Sequence, residues 1–137
     1  MNLIYLVIYI FKIKKVDKLI KENSFEKVIE NTTSNLSELI KYDENQISKL
    51  EKKIIKELIT IDKASTLFWG EAKCLHRTIL QYDLLRKKYG LDVEIVIGVK
   101  KLPFSSHAWL QWSENGKSVC ELEENIIGYQ VIYSSKM

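Results

Sequence analysis

Proline, glycine, arginine and cysteine are all scarce in this 137-residue chain. One Pro and five Gly supply too few turns for an all-β sandwich of many short strands. Two Cys do not make the several pairs of a disulfide scaffold. Arg77 and Arg86 are the only arginines among 21 basic residues, so the forked contacts that read bases and phosphates are missing and no nucleic-acid partner is expected. No Gly-rich phosphate loop and no paired-metal carboxylate pattern occurs, and no cofactor is expected. The apolar start, residues 2–11, has no basic residue ahead of it and no small-residue cleavage site, so it makes a poor signal peptide and none is expected. It is about half the ~20 residues a spanning helix needs. Without an export signal the sequons at Asn31 and Asn35 carry no weight. A cytoplasmic protein is expected. Membrane contact is not expected, although a short apolar helix followed by lysines permits it.

What is present is a globular composition, 46% apolar and 28% charged with a net charge of +3, enough for one domain over residues 1–137. Residues 1–65 read as helical. Ile4, Ile8, Phe11, Val16, Leu19 and Ile20 keep a helical period with lysines at 12, 14, 15 and 18. Ser24 is placed to N-cap a helix from Phe25, residues 31–37 read as a loop, and Ile47, Leu50, Ile54, Leu58 and Ile61 mark an amphipathic helix of about four turns. From residue 66 the character changes. Leu75, Ile79, Tyr82, Leu85 and Tyr89 form one stripe of a helix over 74–89, closed by Gly90. Residues 93–99 are a β-branched run expected to be a buried strand. Residues 107–113 and 117–122 flank Glu114-Asn115-Gly116, a hairpin signal, and Tyr129, Val131 and Tyr133 alternate in a last strand. The fold class is α+β: helices, one further helix, then an antiparallel sheet.

The chemistry concentrates on a few side chains. Cys74 falls in the first turn of the 74–89 helix, where free N–H groups and the dipole favour an anion, with Lys73 beside it. That is where a cysteine nucleophile belongs, although a small buried apolar residue fits the pattern too. His76 lies two positions along the same helix and faces elsewhere, which leaves His107 as the base. Loop length selects the third group. A two-residue loop puts Cys120 on the face of His107; the three residues Glu114-Asn115-Gly116, with Gly116 left-handed, set His107 opposite Glu123 and diagonal to Glu121. Either acid could then fix the imidazole tautomer. A zinc set of Cys74, His76, His107 and Cys120 is not expected, because Cys-x-His lacks ligand spacing.

Cys74-Leu75-His76-Arg77-Thr78, then Leu84-Leu85-Arg86-Lys87-Lys88-Tyr89-Gly90, Val96-Ile97-Gly98-Val99, Phe104 and His107-Ala108-Trp109 resemble, in order, the motifs of the lasso peptide B2 proteins. These are transglutaminase-like cysteine peptidases similar to the carboxy-terminal domain of the microcin J25 processing protein. The resemblance covers residues 74 to about 121 and implies a transglutaminase/papain-like core. It implies Cys74 as nucleophile, His107 as base and Glu121 in place of the family's usual Asp, after a slightly longer hairpin. His76 stands where Pro is common. The implied activity is removal of the leader from a ribosomally made precursor peptide. The implied partners are that precursor, a separate leader-binding B1 protein and a lasso cyclase. Acyl transfer to an amine and a non-catalytic peptide-binding module are the alternatives on the same fold.

Overall fold

A computed structural model describes residues 3–34, 36–67 and 74–136. Helices α1 (Leu3–Glu22), α2 (Phe25–Thr33), α3 (Glu44–Leu67) and α4 (Cys74–Tyr82) come first. Strands β1 (Val93–Lys100), β2 (Ser105–Trp112) and β3 (Ser118–Val119), the single turn α5 (Glu123–Ile126) and β4 (Gln130–Ser134) follow. The four strands form one antiparallel sheet in the order β3-β2-β1-β4. The α+β expectation holds.

Local chemistry explains the boundaries. The Ser24 hydroxyl accepts from the Lys27 N–H at 3.3 Å and starts α2 as expected. Contrary to the expected loop over 31–37, α2 runs on to Thr33. The hydroxyls of Thr32 and Thr33 donate to the carbonyls of Val28 and Ile29, each at 2.8 Å, so the polar run bonds to its own helix. A capping box starts α3 earlier than the apolar period suggests: the Asp43 carboxylate accepts from the Gln46 N–H at 2.7 Å, and the Gln46 side chain accepts from the Asp43 N–H.

The helix that carries Cys74 is the centre of the molecule. Its Ile79 and Leu80 pack with Ile13, Val16, Ile61 and Ala64 of α1 and α3. Its Tyr82, with Leu85 just beyond, packs on Val93, Ile95 and Leu110 of the sheet. From Asp83 to Lys88 the helix widens into a π turn, whose closing bond runs from the Tyr89 N–H to the Leu84 carbonyl at 3.1 Å. Gly90, at φ +67°, then ends it as the sequence suggests.

The hairpin differs from expectation. Leu110 faces Val119, Gln111 faces Ser118, and the Trp112 N–H donates to the Lys117 carbonyl at 2.8 Å. The loop therefore holds four residues, 113–116, rather than two or three, with Gly116 at φ +70°. The strand expected over 117–122 stops at Val119, because Cys120 turns the chain away at φ +60°.

Candidate active site

The early stop of β3 creates the site. In an antiparallel ladder a strand's peptide groups alternate between its two neighbours. Trp112 bonds toward β3, so Leu110 and Ala108, two and four residues back, point the same way. Opposite Ala108 there is no strand left to receive them. Helix α4 takes that place: the Ala108 N–H donates to the Cys74 Sγ at 3.3 Å, and the Thr78 hydroxyl donates to the Ala108 carbonyl at 3.1 Å. The thiol is thereby fixed beside the peptide that joins Ala108 to His107.

His107 projects from the sheet face opposite the α4-facing side chains of Ala108 and Leu110. Its ring stacks on Trp109 with centroids 5.7 Å apart and meets Tyr129 at the same separation. Tyr129 is itself tied by its hydroxyl to the Ser105 hydroxyl at 2.9 Å. Gly98, opposite His107 in β1, keeps this stack in place: a Cβ there would lie 2.8 Å from the Trp109 ring and 3.0 Å from Tyr129.

The left-handed Cys120 swings Glu121 back over the sheet edge. Glu121 Oε1 lies 3.2 Å from His107 Nε2, and the pair is largely buried. The approach is close without being aligned as a hydrogen bond, and among the described residues Nε2 has no hydrogen-bond partner. Such contacts tighten when a substrate closes a site. Arg77 Nη2 stands 3.8 Å from the other oxygen of Glu121. Ser118 anchors the turn, its one hydroxyl proton shared between the Glu121 carbonyl at 2.7 Å and the Glu123 carboxylate at 3.0 Å, while its N–H donates to the same carboxylate at 3.2 Å. Glu123 is therefore occupied with Ser118, and Glu121 is the acid at His107. The paired-strand reasoning that offered both is corrected: Glu121 reaches the imidazole by a turn, not by ladder register.

The remaining candidates lie apart. His76 is buried against α1, its Nε2 donating to Asp17 Oδ1 at 2.8 Å. Part of Cys120 faces solvent, yet the protein packed around its sulfur pushes the thiol up to about 11, with Asp62 adding, Arg77 opposing and Glu121 adding. Among the described residues no three His, Cys, Asp or Glu side chains are grouped to hold a metal. Lys73 lies outside the described residues. Arg77, Thr78, Gly98, Ser118 and Tyr129 received no role from the sequence. The spacing of Cys74, Arg77 and Thr78, i, i+3 and i+4, marks one helix face, and an isolated Gly in a β-branched run marks a close approach; both signals were available.

The family model described as "Transglutaminase-like superfamily" matches residues 51–134, beginning within α3. No curated protein and no solved structure matches the chain.

Proposed function

The chain belongs to the transglutaminase-like superfamily, and from that premise we propose that it is a cysteine peptidase that removes the leader from a lasso precursor peptide. The observation that supports this best is the convergence of the Cys74 thiol, the His107 imidazole and the Glu121 carboxylate on one sheet edge. A carboxylate can only accept, so Glu121 keeps the ring proton on Nε2 and leaves Nδ1 as the basic nitrogen. His107 takes the Cys74 proton, and the thiolate attacks the carbonyl carbon at the end of the leader. As the C–S bond forms, the carbonyl electrons move to oxygen, which backbone N–H groups at the start of α4 stabilise. Collapse breaks the C–N bond, and His107 returns the proton to the leaving amine of the core peptide. Water, deprotonated by His107, then cleaves the thioester, and the leader departs as a carboxylate.

The precursor would be delivered by a separate leader-binding B1 protein, and the product passed to a lasso cyclase in the cytoplasm. Exposed Leu102 and Phe104 on the β1–β2 turn and Leu122 beside Glu121 provide apolar surface next to the site for peptide side chains. Incubation of a lasso precursor and its B1 partner with the wild type or Cys74→Ala, read by mass, tests the reading. Leader release by wild type alone, with addition of water, is the expected result. Addition of an amine instead would make the enzyme an acyltransferase. Intact precursor in both, with partner binding confirmed, would make it a binding module.

A further inference from the structure

Helix α1 is only partly used by the core. Tyr9, Ile13 and Val16 are buried, on one side of the helix. The outward side is divided along the axis. From residue 3 to 11 it carries exposed Leu3, Tyr5, Val7, Ile8 and Phe11, with Leu3 71% and Phe11 65% accessible. From residue 12 to 21 the exposed side chains are chiefly Lys12, Lys14, Lys15, Lys18 and Lys21. Asp17 is the one acid in that stretch and is bound by Lys21 and His76. A helix made for a groove on another protein runs its apolar stripe along its whole length. Here polarity changes with depth instead, apolar first and basic after.

That is the profile of one leaflet of an anionic bilayer. Tyr9 is buried and Leu6 and Ile10 pack on the core, so only the exposed side chains of this segment can enter, to the shallow depth of about 5–10 Å at the headgroup–acyl boundary. The lysines that follow would then lie at the level of the headgroups, their stems along the acyl boundary and their ammonium groups on lipid phosphate. No described helix is long and apolar enough to cross a membrane, so the mode is insertion from one side. We propose that the tip of α1 docks this protein on anionic membrane surfaces. The site would remain in water. The Asp17–His76 contact sets residue 17 beside the start of α4, while Tyr5 and Tyr9 lie with Asp83 and Leu84 around one groove at its far end. The tip therefore points away from Cys74, and docking would leave the thiol open to a dissolved peptide.

Cosedimentation of the full chain with vesicles tests this without turnover, so its failure is separate from failure of the peptidase reading. Binding is expected to vesicles of phosphatidylcholine mixed with phosphatidylglycerol, and to be weak with phosphatidylcholine alone. Each of Lys14→Gln and Lys18→Gln should weaken it about fivefold, and added salt should weaken it further. Val7→Ser with Phe11→Ser, on the exposed side, should abolish it at an unchanged melting temperature. Absence of binding to the anionic vesicles, or binding that survives Val7→Ser with Phe11→Ser, overturns the proposal. So does concentration-dependent dimerisation removed by those two changes in a protein that ignores vesicles.

Discussion

The described residues hold two histidine–carboxylate pairs, and their surroundings differ. At the junction of α1 and α4, His76 meets Asp17 at 2.8 Å. At the sheet edge, His107 meets Glu121 at 3.2 Å. The His76 side chain is 5% accessible and that of His107 16%. His76 has its second nitrogen, Nδ1, buried without a hydrogen-bond partner among the described residues, whereas His107 stands one peptide from the atom that holds the Cys74 thiol. The better-formed pair is thus the one bound to α1: an acid beside a histidine orients a ring, and reactivity also requires that the other nitrogen reach a nucleophile.

The sharpest way to break this contrast is to remove each partner in turn. Cys74→Ala and His107→Gln should lower the initial rate of leader release by at least about 10³-fold, while His76→Gln leaves the rate within a small factor and lowers the melting temperature. Equal loss of activity from the two histidine variants, in proteins that remain folded by circular dichroism, would erase the distinction. Within the sheet-edge pair, Glu121→Gln should cost roughly 10²-fold in turnover. Glu123→Gln should leave turnover nearly intact, since the Glu123 carboxylate is bonded to Ser118. Reversal of that order in the same assay would make Glu123 the orienting acid.

At the helix junction the effect is on stability. Asp17→Asn should lower unfolding free energy by about 1–2 kcal/mol in denaturant titration at neutral pH. Hydrogen bonds from Lys21 and then His76 hold the Asp17 carboxyl below its usual range. Its contribution is therefore complete above the unfolded value of about 4 and is lost as pH falls through the lower folded value. Wild type and Asp17→Asn should converge in acid; a gap that widens below pH 4 would contradict the assignment. The smallest effect concerns the second thiol. With its pKa pushed up to about 11, Cys120 in the Cys74→Ala protein should alkylate slowly at neutral pH, with a rate that rises roughly tenfold per pH unit until about 11. Rapid labelling at pH 7, followed by mass, would show that its sulfur is freer than the packing implies.

Most of the fold is legible in the sequence because local rules govern it. Ser24, Gly90 and the β-branched run over 93–99 each act through near neighbours, and their elements appear where expected. The errors fall where a tertiary or side-chain detail overrides a local preference. Thr32 and Thr33 bond back to their own helix, and four residues rather than three close the hairpin. Cys120 adopts a backbone conformation rare for a residue with a side chain. The site shows the same division. Cys74 and His107 stand in quoted motifs, and Glu121 is placed by resemblance. Tyr129 and Ser118 act only through the assembled sheet, which no spacing along the chain encodes, whereas Gly98 is marked by its place in a β-branched run.

The two-residue length of β3 has a consequence for assembly. With no third pairing to make, Ala108 completes its hydrogen bonds on a sulfur and a hydroxyl, so the Cys74 thiol serves as an edge fastener. A slip of β2 by one two-residue step would carry that N–H about 7 Å along the strand and leave the thiol facing the wrong peptide. Such a molecule could keep its helices and its sheet and still misplace Cys74, so in this protein correct threading of the sheet edge and placement of the cysteine are a single event.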